Sequence, residues 1–216
     1  MRFGVLGTGR VGQTIGGRLI RLGHEVTIGA RQAGNETAVE WARDAGERAR
    51  EGSFADPARV GEVIVNPTAG TASLAALEMA GAAELAGKVL IDVANPLDFG
   101  GGGLPTLSVC NDDSLGEQIQ RAFPEANVVK ALNTVNAGVM VTPGDLPDRH
   151  NIFICGDDTD AKGHVTKLLE SFGWPPGDII DLGDITAARG TEMYLPLWLR
   201  MMGATGTAQF NIQIVR

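Results

Sequence analysis

The residues with the clearest chemical purpose are three glycines and an arginine. Gly7, Gly9 and Gly12 stand in the spacing G-x-G-x-x-G directly after the apolar run Phe3, Val5, Leu6. In a strand–turn–helix unit the first glycine makes the tight turn. The second lets backbone approach a pyrophosphate, and the third lets helix and strand pack closely. Thr8, Arg10 and Val11 complete the turn. The amides near Arg10 and Val11 would meet the pyrophosphate with the positive end of a helix dipole. Sites for an unphosphorylated adenosine ribose end their second strand in Asp or Glu, about 20 residues past the glycines. Here Gly29, Ala30 and Arg31 hold that place, and no carboxylate follows until Glu36. A carboxylate repels a 2′-phosphate, whereas a guanidinium grips it through two charge-assisted hydrogen bonds. The expected chemistry is NADP binding, with Arg31 and the Thr8 hydroxyl on the phosphate side.

The elements that must hold these residues can be read from periodicity. Val11, Ile15, Leu19 and Leu22 fall on one helical face, Gly23 caps that helix, and Val26 and Ile28 supply the second strand. Residues 37–50 read as an exposed helix. Val63 to Asn66 is a strand stopped by Pro67, and Lys88 to Val93 is another, ended by Ala94-Asn95-Pro96. A helix begins near Ser114, with Leu115, Ile119, Ala122 and Phe123 at helical spacing, and Val128 to Leu132 gives the next strand. Such alternation predicts an α/β Rossmann fold, a doubly wound parallel sheet with helices on both faces. Ligands of such sheets sit beyond the carboxyl ends of the strands. Three polar ends, Asn66-Pro67-Thr68, Ala94-Asn95-Pro96 and Asn133-Thr134-Val135-Asn136, are expected to converge near the nicotinamide. Asn66, Pro67, Ala94, Asn95 and Asn133 are therefore further cofactor-binding candidates. Gly100 to Gly103, within Phe99–Pro105, read as a long surface connection or a mobile loop.

Beyond residue 137 a small C-terminal α/β segment is expected. Asn151 to Cys155 reads as a strand, followed by an amphipathic helix capped near Gly173 and a short strand at Ile179-Ile180. The stretch from Ile185 to Met202 is dense in Met193, Leu195, Leu197, Trp198, Met201 and Met202. It suits core, a pocket for a planar ring, or a surface covering a partner subunit. Phe210, Ile212 and Ile214 alternate as a final strand. The expected organisation is a dinucleotide-binding domain over 1–137 and a small domain over 138–216 for an acceptor pocket, dimerisation or both.

A net charge of −8 argues against a general nucleic-acid or anionic-membrane surface. No run of about 20 apolar residues could span a bilayer. The first strand starts almost at once, so no signal peptide is expected. Cys110 and Cys155 lack any C-x-x-C context and are expected to be free thiols of a reducing, cytoplasmic compartment. His24, His150 and His164 are scattered, without a nucleophile relay, and no Cys/His cluster suggests a metal. A proton donor is left to be assembled in space, with Asp157 and Lys130 as examples. The pattern suits hydride transfer between two cofactors, where positioning is most of the work.

The chain resembles the deazaflavin-dependent NADP oxidoreductases, which pass hydride between NADP(H) and coenzyme F420. The resemblance rests on VLGTGRVGQTIGGRLIRLGHEVTIGAR, on VVKALNTVNAGVM, and on GDDTDAKGHVTKLLESFGW with the end of the chain. It implies a Rossmann domain with a small C-terminal domain over the nicotinamide, usually as a homodimer. It places pyrophosphate contacts at Thr8, Gly9, Arg10 and Val11, the 2′-phosphate at Arg31, and a cofactor-contacting alanine at Ala137. The family often has Ser or Thr where this chain has Ala30, and its prototype has His where this chain has Asn133. Asn can hydrogen-bond to an acceptor but cannot carry charge. Other readings are an NADPH-dependent reductase of a flavin, metal chelate or carbonyl, and a non-catalytic NADP sensor.

Overall fold

Strands as short and as apolar on both faces as VIVN and VLID are stable only between two layers of helix. The computed structural model, which describes residues 1–215, arranges them so. Along the chain come β1 (Arg2–Leu6), α1 (Arg10–Arg21), β2 (Glu25–Ala30), α2 (Glu36–Ala45), β3 (Ala49–Ser53), α3 (Ala55–Val60), β4 (Val63–Asn66), α4 (Gly70–Ala80) and α5 (Ala82–Leu85). There follow β5 (Val89–Asp92), β6 (Leu97–Asp98), β7 (Thr106–Leu107), α6 (Leu115–Ala122), β8 (Asn127–Ala131) and α7 (Ala137–Val141). The last elements are β9 (Ile152–Cys155), α8 (Thr159–Phe172), β10 (Ile179–Asp181), α9 (Ala188–Met193) and α10 (Leu195–Thr205). Arg216, the end of the expected segment 138–216, lies outside the described residues.

Eight strands form one sheet in the order β10-β9-β8-β5-β4-β1-β2-β3. The six from β8 to β3 are parallel, as expected of a doubly wound Rossmann sheet. The outer pair reverses: β9 runs antiparallel to β8, and β10 is parallel to β9. Alternating side chains divide the core in two. Phe3, Val5, Val65, Ile91 and Val129 meet Ile15 and Leu19 of α1, Val139 of α7 and Leu169 of α8 on one face. Leu6, Ile64, Leu90 and Val128 meet Leu77 of α4 and Ile119 of α6 on the other.

Two expectations are corrected, and the surface connection at 99–105 is given its form. The helix over 37–50 stops at Ala45, because Gly46 takes φ 91 and turns the chain into β3, which pairs with β2. Backbone pairing there outweighs the weak strand propensity of AREGS. The glycines 100–103 are the tip of a small antiparallel hairpin, β6–β7. The final strand does not form. The tail donates no ladder: Asn151 N–H reaches Ile212 O, and the other contacts run through the Asn151 and Asn211 side chains. Of the dense apolar stretch, α10 buries only Leu195, and Leu197 is exposed.

Asn136 ties the start of α7 to the chain after α10. Its Oδ1 accepts from Gly138 N–H at 2.8 Å, capping α7, while its Nδ2 donates to Gln209 Oε1 at 2.7 Å and to Ala208 O. Asn136→Ala should lower stability by about 1–2 kcal/mol through the lost cap. Thermal unfolding should show the drop, and limited proteolysis should show the segment after Gly206 cut earlier than in the parent.

Candidate functional site

Parallel pairing sets the carboxyl ends of β1, β2, β4, β5 and β8 along one rim. From β1 the chain builds outward through β2 and β3 on one side and through β4, β5 and β8 on the other. The crevice therefore opens where β1 and β4 part. A cavity of about 970 Å3 lies there. Of the residues singled out in the sequence it is lined by Gly7, Thr8, Gly9, Ala30, Arg31 and Pro67. Thr68, from the polar strand end after β4, lines it too, and it also takes in Gln32 to Asn35, Phe54 and one side of α4, none of which the sequence had marked.

The glycine turn has the geometry its spacing demands. Gly7 has φ 129 and its N–H donates to Gly29 O at 2.9 Å, joining the turn to β2. A side chain on Gly12 would collide with the Gly7 carbonyl, whereas one on Gly9 would meet only open space. Helix α1 has Gly9 at its cap and no capping side chain, so its first N–H groups face outward unsatisfied. Arg31 is exposed and, among the described residues, joins no ion pair or side-chain hydrogen bond. The loop beyond it is shaped by Gly34 N–H donating to Glu51 Oε2 at 3.0 Å. Arg10 leans the other way, into a groove between α1 and α2 beside Trp41 and Asp44. Val11 is half-buried and Gly12 buried. An uncapped helix start, an open glycine turn and a free guanidinium around one cavity fit a dinucleotide with an extra phosphate.

The other strand ends interlock. Asn95 Nδ2 donates to Asn133 O at 2.9 Å, and Asn133 Nδ2 returns a bond to Asn95 Oδ1 at 3.0 Å. Gly70, at the start of α4, packs against the Asn95 carbonyl so closely that no side chain fits. Leu132 holds φ 64, a left-handed backbone uncommon for a branched side chain, and delivers Asn133 into this pairing. Asn66 is wholly buried: its Nδ2 donates to Ser73 Oγ at 2.6 Å and Asp92 Oδ1 at 2.9 Å. Its Oδ1 accepts from Thr68 Oγ1 at 2.7 Å. Ala94 is buried beside Asn95, and Ala137 opens α7, which packs against α1. Ala94, Asn95, Asn133 and Ala137 thus continue the rim beyond the cavity at the β1–β4 crevice.

Lys130 and Asp157, the two proton donors the sequence left open, are both engaged within the fold. Asp157 Oδ1 accepts from Ile185 N–H at 3.0 Å. The Lys130 side chain has no exposed surface, and its Nζ lies 2.7 Å from Asp92 Oδ2, 2.7 Å from Glu192 Oε1 and 2.5 Å from Ala94 O. Burial works against its charge, but Asp92 and Glu192 outweigh it and hold the amine above the ordinary lysine value. Burial lifts Glu192 above the usual carboxylate range despite Lys130. Asp92 and Glu192 went unread in the sequence. The available signal for Asp92 was a lone charge ending the apolar strand VLID, and Glu192, in the helix ARGTEM, gave none of that kind. Among the described residues no cluster could hold a metal ion, and no helix is long and apolar enough to cross a membrane.

Residues 2–96 match the family described as NADP oxidoreductase coenzyme F420-dependent. The F420-dependent NADP reductase of Methanothermobacter marburgensis is 30% identical over 218 residues, covering 93% of this chain and 92% of that protein. A crystal structure described as a candidate F420-dependent NADP reductase from Arthrobacter sp. FB24 is 51% identical, with TM-score 0.94 and 99% of each chain covered. Metalloreductase STEAP3 of Rattus norvegicus is 28% identical over 201 residues, covering 91% of this chain, which spans only 38% of that protein's length.

Cys155 sits beside Lys130 across β8 and β9, and burial pushes its thiol up to about 12. The folded protein at pH 8 should therefore take one iodoacetamide label, at the half-buried Cys110, and two once denatured. Peptide mass mapping reads both states, and rapid labelling of Cys155 in the native protein would contradict this packing.

Proposed function

The chain belongs to the coenzyme F420-dependent NADP oxidoreductases, and we propose that it moves a hydride directly between NADP(H) and a deazaflavin of the F420 type. The observation that carries the reading is Arg31: a guanidinium without a partner among the described residues, at the tip of β2, on the same cavity as the uncapped start of α1. In this reading Gly7, Thr8, Gly9, Arg10, Val11 and Gly12 surround the pyrophosphate with backbone N–H groups and close packing. Ala30 and Arg31 receive the adenosine 2′-phosphate. Pro67, Ala94, Asn95, Asn133 and Ala137 border the nicotinamide end, with Asn66 holding the Pro67-Thr68 turn from beneath.

When bound, NADPH supplies the hydride. The protein's own task is to align two flat rings and exclude water, which is where catalysis of such a transfer originates. Asn133 is the candidate for positioning the acceptor. Its amide is held by Asn95, so it offers a fixed dipole and no titrating proton. Residues 138–216 would form the acceptor side and a homodimer contact, which accounts for an α10 that leaves Leu197 exposed and buries only Leu195. The likeness to a metalloreductase supports a second reading, with a flavin or metal chelate as acceptor.

Purified protein with NADPH should bleach the absorbance of oxidised F420 with multiple turnovers, and should reduce free flavin or a ferric chelate far more slowly. Turnover on flavin or chelate without any on F420 would overturn the deazaflavin assignment. Arg31→Ala should raise the NADPH Kd about 10- to 100-fold, the loss expected for hydrogen bonds to a charged group. NADH affinity should stay nearly constant in the same titration, and equal losses for both nucleotides would contradict the phosphate role.

A further inference from the structure

Register pairing sets Asn66, Asp92 and Lys130 side by side on β4, β5 and β8, a polar row along the top of an otherwise apolar sheet face. Asp92 divides its oxygens. Oδ1 accepts from Asn66 Nδ2 at 2.9 Å and from Ala94 N–H at 3.2 Å, and Oδ2 meets Lys130. Lys130 in turn donates to the Ala94 carbonyl, so both backbone groups of Ala94 are held by this one ion pair. Ala94 is followed by Asn95, whose side chain locks Asn133. Glu192, from α9, reaches the same amine, and its two oxygens also accept from Leu115 N–H at 2.8 Å and Gly116 N–H at 3.0 Å at the start of α6. Arg189, one turn earlier on α9, bonds Glu117 of α6 through Nε at 2.8 Å and Nη2 at 2.5 Å. Asp92, Lys130 and Glu192 are sealed from solvent, so none can touch a substrate.

We propose that the Asp92–Lys130–Glu192 triad is a positioning device, through which α9 and the C-terminal segment fix the Ala94-Asn95-Asn133 rim. A buried ion set is seldom the most stable way to fill such a space; an apolar set of equal volume is often as good or better. Its geometry is directional, however, and here the directions converge on Ala94. Movement of α9 is thereby transmitted to the rim through Lys130, without passing through the adenosine end of the cavity at β1 and β2. The inference rests on the reading that this rim borders the nicotinamide.

The experiment pairs Glu192→Gln with the triple variant Asp92→Asn/Lys130→Met/Glu192→Met, which removes all three buried charges and keeps an oxygen at position 92 for Asn66 and Ala94. Both should bind NADPH with nearly the parent Kd. The fluorescence change of the bound reduced nicotinamide should be lost, and kcat with F420 should fall about 10- to 100-fold, the scale of a misplacement near 1 Å. If the triple variant melts like the parent yet keeps the low kcat, positioning is upheld. If it recovers the parent kcat and fluorescence, the triad is structural only and the proposal falls. Fluorescence needs no acceptor, so failure of the deazaflavin assignment leaves this readout intact. Should neither variant fold, hydrogen exchange of the unaltered protein decides: residues 92–96, 131–136 and 188–193 must open as one unit, and independent opening of 188–193 would overturn the proposal.

Discussion

A lysine amine without exposed surface must be neutralised where it lies, and the arrangement around Lys130 follows from that requirement. Two carboxylates from distant parts of the chain and one backbone carbonyl surround it. Removing one partner from such a group typically costs about 3–5 kcal/mol, because the remaining charge stays buried. The strand ends at β4, β5 and β8 are tied into it through Asn66 and Ala94, and the first turn of α6 through Glu192. The rim is thus one connected polar structure resting on two apolar layers.

The two ends of the crevice are built by different means. At β1 and β2 the work falls to backbone: a turn closed by Gly7 and Gly12, and a helix start left open for an anion. This lets an acidic protein of net charge −8 hold a polyanionic cofactor, since the attraction is local and short in range. At β5 and β8 the rim is made of side-chain amides whose partners are one another, with the charges of Asp92, Lys130 and Glu192 sealed beneath it. Such a division suits an NADP-dependent oxidoreductase, where affinity is gathered at the adenosine end and alignment at the nicotinamide end.

Much of this was legible in the residues alone. The glycine spacing, the α1 face Val11-Ile15-Leu19 and the apolar runs at β4, β5 and β8 are local signals, and they appear where expected. Arg31 could be placed at the tip of β2 beside the cavity because it closely follows the run Val26-Thr27-Ile28. The strand β3 was hidden because AREGS gains its structure from β2 and not from its own composition. The tail at 210–214 shows the opposite failure: its alternation is strand-like, but side-chain amides bind it in place of a ladder. The triad was out of reach because Glu192 lies far along the chain from Asp92 and Lys130, and only the fold brings it there. The polar ends at Asn66, Asn95 and Asn133 do gather on one rim, yet their amides largely bind each other and the strand ends.

Direct passage of hydride between two aligned rings, as proposed, can be tested by isotope transfer without reference to any variant. A single turnover of F420 with NADPH deuterated at the nicotinamide C4 should place the deuterium in the reduced deazaflavin, from one prochiral position only, as read by mass spectrometry. Deuterium appearing in solvent, or drawn equally from both positions, would rule out direct transfer.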